Sequence, residues 1–157
     1  MSVIDTARAA GDTAIRLLGR LSWLPPLAAR ITVGWVFLES GWGKLHHLDK
    51  VTEFFRSLHI PAPEIQAPFA AGTELVCGAL LLVGLLTRLA SIPLMVVMTV
   101  AIATAKRDEL KSLSDLFGFP EFLYILLLLW LLISGPGAIS LDRLLFRPRA
   151  QAPKPAA

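Results

Sequence analysis

Charge and cysteine are both scarce in this sequence. Only 17% of its 157 residues are Asp, Glu, Lys or Arg, whereas a soluble domain of this size usually has about 25%. The single cysteine, Cys77, excludes an internal disulfide, a CxxC redox site and a metal site made of several cysteines. A glycine-rich phosphate loop, a Ser-His-Asp order and a haem motif are lacking as well. These absences argue against the common types of soluble enzyme.

The basic residues do not form a run or a stripe. The formal net charge is +3, with 15 Lys and Arg residues dispersed along the chain. A nucleic-acid-binding domain concentrates such residues on one face. We therefore predict no nucleic-acid partner, and we assign the dispersed charges to the flanks of membrane spans.

Apolar residues are in excess, and they fall into four blocks. The chain is 55% hydrophobic, with a mean hydropathy of +0.64. The blocks cover about Leu24 to Trp42, Ala67 to Leu86, Leu89 to Ala105 and Phe117 to Ser134. Each approaches the roughly 20 residues that a helix needs to cross a hydrocarbon core about 30 Å thick. The alternative, a soluble protein with four buried core helices, would leave too few residues to wrap them. We predict an all-α membrane protein, an antiparallel bundle of four transmembrane helices with amphipathic interfacial helices.

Four spans place both termini on one side of the membrane. The terminal side carries eight basic residues and the other side six, a bias that favours cytoplasmic termini. The terminal eight are Arg8, Arg16, Arg20, Arg88, Arg143, Arg147, Arg149 and Lys154, and the other six are Lys44, Lys50, Arg56, Lys106, Arg107 and Lys111. We expect a multi-pass protein of the bacterial inner membrane, with only Thr87-Arg88 joining spans two and three.

The segments around the spans suggest three regions. Residues 1–22 have apolar side chains at helical spacing among arginines, which predicts an amphipathic interfacial helix. Residues 23–146 form the transmembrane domain, and residues 147–157, rich in proline, are expected to be disordered. A second amphipathic helix is predicted after Asp49, and a shorter one between Lys106 and Gly118.

Charged side chains inside the spans are the candidate functional residues, because each costs about 2.5–3.5 kcal/mol at a helix centre and therefore faces protein or trapped water. In span one, a single face combines two cations with small residues that permit close helix approach. This face consists of Arg30, Gly34, Phe37, Gly41 and Lys44, and Glu39 lies on the opposite face.

Glu74 is the strongest candidate, since it lies near the middle of span two. Gly78, one turn later, leaves room for a neighbouring helix. We predict that Glu74 faces the interior and makes a polar contact with span one or four, through Lys44, Arg30 or a side chain near Tyr124. Further candidate companions in the polar intramembrane site are Glu39, Arg88 and Glu121.

Two other groups of residues have simpler interpretations. Gly135, Pro136 and Gly137 end span four, and Ser140 or Asp142 is expected to cap a short helix that starts near Leu141. His46, His47 and His59 are weak metal candidates, because no pair of histidines has the spacing that places both on one helix face. We predict surface histidines and no metal.

The ordered set of these motifs resembles the DoxX family of small bacterial membrane proteins. The resemblance covers roughly residues 24 to 146 and is carried by Arg30, Gly34, Phe37, Gly41 and Lys44 in span one, then Leu58-His59-Ile60-Pro61, then Glu74, Gly78, Gly84 and Thr87-Arg88-Leu89-Ala90, and finally Glu121-Phe122, Gly135-Pro136-Gly137 and Ser140-Leu141-Asp142. Glu39 and the amphipathic N-terminus lie outside the family pattern.

The resemblance implies a role near membrane redox chemistry. The family is similar to membrane subunits of thiosulfate:quinone oxidoreductase, which suggests a subunit or anchor of a quinone-linked assembly, at most part of a membrane oxidoreductase. Quinone is then the cofactor to expect, and the partners would be the lipid bilayer, a soluble or membrane redox subunit, and further copies of the chain. Two alternatives stay open: a small-solute carrier or channel with Glu74 and Glu39 lining a polar path, and a scaffold whose charges only lock helices together.

Overall fold

A computed structural model describes residue 11 and residues 15–145 of the chain. Throughout these residues the regular structure is helical, beginning with a helical segment over residues 15–20. The helices that follow are α1 (Leu24–His46), α2 (Leu48–Ser57), α3 (Pro63–Val83), α4 (Thr87–Thr104), α5 (Leu113–Gly118), α6 (Pro120–Ser134) and α7 (Leu141–Leu145). Most of the predicted N-terminal helix and the predicted disordered tail lie outside the described residues.

The four long helices pack in a ring. α1 packs on α3, α3 on α4, α4 on α6, and α6 returns to α1, while the shorter α2 lies mainly against α3. The core in the middle of the ring is apolar and includes Val33, Phe37, Leu81, Leu94 and Leu128. This arrangement confirms the all-helical fold that the sequence predicts.

Two of the helices, α3 and α4, are long and apolar enough to cross a membrane, and α6 is apolar but shorter. Only 33% of each candidate window is buried, so most of the apolar surface of both helices points away from the core. Phe69 and Val76 on α3, and Val96 on α4, are more than half exposed. Exposed apolar surface on this scale suits a lipid environment. α1 is 23 residues long but also carries Arg30, Glu39 and Lys44.

The turn between α3 and α4 corrects one prediction. Thr87 and Arg88 do not link the helices but form the first turn of α4. The chain turns at Gly84, which adopts a left-handed conformation with φ of 70°. The N–H of Leu85 then donates to the carbonyl of Leu80 at 2.9 Å, the six-to-one bond that closes a helix with a left-handed glycine. The glycine therefore ends α3 three residues before the predicted end of span two.

Other helix boundaries move for local reasons. α3 begins at Pro63, since proline is well suited to the first turn of a helix. α6 begins at Pro120 rather than Phe117, because the preceding residues form α5. That helix starts with a capping box, in which the side chains of Ser112 and Asp115 each accept a hydrogen bond from the other residue's backbone N–H. The Ser112 hydroxyl and two backbone N–H groups lower the pKa of Asp115.

Small residues bring α1 and α3 into backbone contact. A Cβ atom on Gly78 would lie 2.6 Å from the backbone nitrogen of Leu38 and 2.9 Å from the carbonyl oxygen of Gly34. A Cβ atom on Gly41 would lie 2.7 Å from the carbonyl oxygen of Ala71. The glycine face predicted for α1 is therefore the face that meets α3, and the close approach fixes the height of one helix against the other.

Candidate functional site

Glu74 forms a buried polar contact between α1 and α3. Its side chain has no exposed surface. Its Oε1 atom accepts a hydrogen bond from Lys44 Nζ at 2.5 Å, and its Oε2 atom accepts one from Ser40 Oγ at 2.8 Å. The polar contact expected between Glu74 and the first span is present, and Lys44 is the partner. A buried carboxylate with both oxygens bonded is held in one orientation.

Ser40 was not singled out from the sequence. It precedes Lys44 by four residues, so both side chains project from one side of α1. That spacing was a usable signal, because a carboxylate that receives Lys44 has a second oxygen to satisfy.

Next to this contact lies a largely apolar cavity of about 390 Å³. Its walls come from α2, α3 and α4, and include Phe54, Phe55, Phe69, Val97 and Ala101. Lys44 and Glu74 also line it, so a charged pair meets an otherwise hydrophobic space. Such a combination, apolar walls with a few placed polar groups, is typical of a small-molecule site.

The amphipathic helix α2 forms one wall of the cavity. It was predicted from the sequence after Asp49, and the structure places it over Leu48–Ser57. It is fastened to the start of α3 by an exposed ion pair between Arg56 and Glu64, with a distance of 2.6 Å between Nη2 and Oε1. The cavity therefore depends on a helix that sequence reasoning treated only as an interfacial segment.

Arg30 belongs to the opposite end of the bundle and does not accompany Glu74. Its guanidinium is buried and donates to the carbonyl of Pro136 at 2.8 Å. The side chain also touches Gly84, where a Cβ atom would collide with it. Arg30 thus joins α1 to the segment after α6 and to the turn that follows α3.

Asp142 has a role that the sequence did not reveal. It was predicted as one of two caps for α7, and Ser140 takes that role by accepting from Arg143 N–H at 3.2 Å. The carboxylate of Asp142 instead accepts from the N–H groups of Leu86 and Thr87, at 2.6 and 3.0 Å. Asp142 caps α4 across a separation of more than fifty residues, which is invisible in local sequence patterns.

Among the described residues, the other candidate charges form neither a hydrogen bond nor an ion pair with Glu74. Arg88 is exposed and donates to the carbonyl of Ile133 at 3.2 Å. Glu121 lies in the first turn of α6, as its position after Pro120 predicted. Glu39 is exposed on α1. Within residues 15–145 neither a hydrogen bond nor an ion pair connects Glu39 to Glu74.

The three histidines are on the surface. His46 and His47 pair through Nδ1 with the carbonyls of Trp42 and Gly43, at 2.9 and 3.0 Å. His59 lies in the turn after α2, with φ of 58°. Among the described residues, three potential His, Cys, Asp or Glu ligands do not come together anywhere.

The helical ring, its exposed apolar faces and its buried charged pair define a helical membrane protein. The chain belongs to the DoxX family, whose sequence model matches residues 26–107. The matched region contains the glycine contacts of α1 and α3, Lys44, Glu74 and the walls of the cavity.

Bacterial relatives match along most of their length. The "Uncharacterized membrane protein Rv3486" of Mycobacterium tuberculosis is 37% identical over 132 residues, which covers 76% of this chain and 81% of the relative. "Putative oxidoreductase CatD" of Bacillus subtilis is 31% identical, covering 77% of this chain and 87% of the relative. The "Inner membrane protein YphA" of Escherichia coli is 31% identical, covering 74% and 87%. None of the solved structures matches the chain significantly.

Proposed function

We propose that the protein is a quinone-binding membrane subunit, or anchor, of a redox assembly in the bacterial inner membrane. The observation that carries the proposal is the apolar cavity between α2, α3 and α4 with Lys44 and Glu74 in its lining. Isoprenoid quinones combine an apolar tail with a head whose carbonyl oxygens accept hydrogen bonds, and the cavity offers surfaces for both.

Different residues of the cavity would bind the head group and the tail of a quinone. The Lys44 ammonium can donate a hydrogen bond to a carbonyl oxygen of the head group. Its hydrogen bond to Glu74 holds the ammonium in position. Phe69 and Val96 are 73% and 57% exposed, so the apolar wall continues onto the outer surface of the bundle. A tail can follow this wall into lipid. A bound quinone would supply two-electron redox chemistry that the side chains of this chain do not have.

The membrane arrangement is part of the same proposal. α1, α3, α4 and α6 are taken to cross the bilayer, with both termini in the cytoplasm. At 1.5 Å per residue, the 23 residues of α1 are long enough for a core about 30 Å thick. Arg30 is buried in protein, and Lys44 is paired with Glu74. Both arrangements lower the free-energy cost of placing these two charged residues of α1 inside the bilayer. The name of the Escherichia coli relative supports the inner membrane, and that of the Bacillus subtilis relative supports redox work.

Quinone content of the purified protein tests the proposal. We expect the chain, extracted in mild detergent, to retain quinone that mass spectrometry detects in organic extracts. Ala101→Phe should lower the retained amount by filling the cavity without altering a charge. Lys44→Gln should lower it by removing the ammonium donor.

The matched control is Arg107→Gln, which removes an exposed cation outside the cavity lining and should leave the quinone content unchanged. Absence of quinone from the unaltered protein, together with failure to bind added decyl-ubiquinone or a short-chain menaquinone, would overturn the proposal. Equal quinone retention by Ala101→Phe and the unaltered chain would show that the quinone lies elsewhere. A protein that neither retains nor binds quinone would be better interpreted as a scaffold.

A further inference from the structure

A second cavity, of about 790 Å³, lies at the end of the bundle opposite to Glu74. Its lining comes from the residues before α1, the start of α4, the segment after α6 and the start of α7. Since α1 begins at Leu24, α4 begins at Thr87 and α6 ends at Ser134, three helices that we propose to cross the membrane start or end here. In that arrangement the cavity lies at the boundary between lipid and water.

Two arginine side chains, Arg88 and Arg143, line this second cavity, and both are exposed. The Arg88 guanidinium donates one hydrogen bond, to the carbonyl of Ile133, out of the five that a guanidinium can give. Within the part of the chain that the structure describes, the Arg143 side chain forms neither a hydrogen bond nor an ion pair. We refer to this space as the arginine cavity. It offers guanidinium donors of the kind that bind phosphate oxygens in pairs.

The position of Arg88 is fixed by the backbone beside it. Gly135 has a φ of 82°, and a Cβ atom there would lie 3.3 Å from Nη2 and 3.4 Å from Nε of Arg88. Glycine at this position therefore leaves the space in which the guanidinium lies. Together with the bond to Ile133, this contact holds the cation at the cavity instead of leaving it to extend into water.

The arginine cavity has a positive balance of charge. Asp142 also lines it, but both carboxylate oxygens already accept hydrogen bonds from the N–H groups of Leu86 and Thr87. Behind the wall lies a third cation, the buried Arg30, which donates to the carbonyl of the lining residue Pro136. Three arginines against one aspartate leave an excess of positive charge, so the occupant that complements the cavity is an anion.

Apolar side chains beside the arginines favour an anion that carries a hydrocarbon chain. Leu86 and Leu89 line the cavity and are 41% and 63% exposed. Ile92 follows Leu89 by three residues on α4 and is 46% exposed, so the two side chains lie on one side of the helix. Trp23, which also lines the cavity, is of the type that concentrates at the level of lipid head groups. A free anion gains nothing from this apolar surface, whereas an acyl chain can lie along it.

From these observations we infer that the arginine cavity binds the phosphate group of an anionic phospholipid. Arg88 and Arg143 contact the phosphate, and an acyl chain follows Leu89 and Ile92 along α4. Basic pockets between membrane helices at the membrane surface are suited to anionic head groups. The inference rests on these helices crossing the membrane and is independent of quinone binding, which we assign to the other cavity.

Native mass spectrometry of the purified chain with added lipid tests the inference. The protein in mild detergent is titrated with phosphatidylglycerol and, separately, with phosphatidylcholine of the same acyl chains, which has no net charge. We expect tighter binding of phosphatidylglycerol. Arg143→Gln should weaken that binding about fivefold, the effect of one arginine near an anionic lipid surface. The matched control is Arg107→Gln, which changes an exposed arginine between α4 and α5 that does not line this cavity.

A second variant adds an anion without removing a cation. Ala138 is an exposed residue of the cavity lining, and Ala138→Glu should weaken phosphatidylglycerol binding by repulsion. Ser114→Glu places the same charge at an exposed position of α5 and should leave binding unchanged. Arg88→Gln should also weaken binding, but it removes the bond to Ile133 as well. The variants at Arg143 and Ala138 therefore decide the test.

Three results would overturn the inference. The first is equal binding of the two lipids by the unaltered chain. The second is an effect of Arg143→Gln or Ala138→Glu no greater than that of its control. The third is loss of the preference for phosphatidylglycerol in millimolar inorganic phosphate at constant ionic strength, which would assign the cavity to the free anion.

Failure of this inference can be separated from failure of the proposed function. Arg143→Gln should retain as much quinone as the unaltered chain, because Arg143 does not line the quinone cavity. Reporter fusions that test whether α1 and α4 cross the membrane separate failure of the lipid site from failure of the topology.

Discussion

Gly41 of α1 lies directly against the backbone of Leu75 of α3. A Cβ atom at Gly41 would collide with the Leu75 nitrogen and lie 2.8 Å from its Cα atom. The contact is backbone to backbone, so no flexible side chain can move away to make room. The two helices can keep this separation only while the position lacks a side chain.

We predict that Gly41→Ala lowers the thermal midpoint of the purified protein. Overpacking of this kind costs about 1–3 kcal/mol, more than alanine gains from its better helix propensity. Gly43→Ala is the matched control, two residues along the same helix and facing open space. It should be neutral or slightly stabilising. Equal effects of the two changes would contradict the close contact.

Replacing one member of the Lys44–Glu74 pair should lower the free energy of unfolding more than replacing both members. Glu74→Leu alone leaves Lys44 without its partner. Loss of one member of a fully buried pair costs about 3–5 kcal/mol, and the cost here should be smaller because one third of the Lys44 side chain is exposed. Lys44→Met combined with Glu74→Leu should recover much of that loss. Unfolding free energies of the two single variants and the double variant, measured in one detergent, give the coupling. Strict additivity would show that the pair does not act as a unit.

Removal of the Asp142 carboxylate should destabilise the start of α4 from a distance. Asp142→Ala loses both bonds to the N–H groups of Leu86 and Thr87, and loss of a helix cap costs about 0.5–2 kcal/mol. Asp142→Asn, which keeps one oxygen acceptor, should lose less. Hydrogen exchange at Leu86 and Thr87 is the direct measurement. Asp108→Ala, an exposed change between α4 and α5, serves as the control.

The topology prediction concerns the side of the membrane on which each connection between helices lies. Reporter fusions after His59 and Arg107 should lie outside the cytoplasm, whereas fusions after Leu86 and at Ala157 should lie inside. Hydrophobic helices of alternating direction and the excess of basic residues on the terminal side are the reasons. A C-terminus on the outer side would contradict the orientation.

Cys77 should be unreactive while the protein is folded. Its side chain is buried in α3, with 9% exposure, so maleimide labelling is expected only after denaturation. Cys77→Ser should also leave the quinone content unchanged. Rapid labelling of the native protein would place the thiol on an accessible surface instead.

Local patterns predicted the helices and the position of Glu74 because both depend on spacing within one segment. The spacing of the glycines in α1, and of Glu74 and Gly78 in α3, identifies one face of each helix. Residues on such a face are predicted to point into the bundle. The identity of the partner was harder: Arg30 and Lys44 share a face of α1, and only the relative height of α1 and α3 decides that Lys44 meets Glu74. That height is set by backbone contacts at Gly34, Gly41 and Gly78.

Contacts between remote segments could not be predicted in this way. The cap that Asp142 gives to α4 and the bond from Arg30 to Pro136 join parts of the chain that have no shared periodicity. The cavity was missed for a similar reason, since its lining residues come from four helices. Ser40 alone left a local signal, four residues before Lys44.

The contacts of Arg30 and Asp142 also impose an order on synthesis. Arg30 is synthesised early, yet the carbonyl that receives its guanidinium belongs to Pro136, 106 residues later. The N–H groups at the start of α4 likewise gain their acceptor only when Asp142 has been synthesised. A nascent chain can form its first three long helices, but that end of the bundle cannot close until the segment after α6 has been synthesised. A chain terminated before Pro136 would therefore have an Arg30 guanidinium without this acceptor and an α4 without its cap.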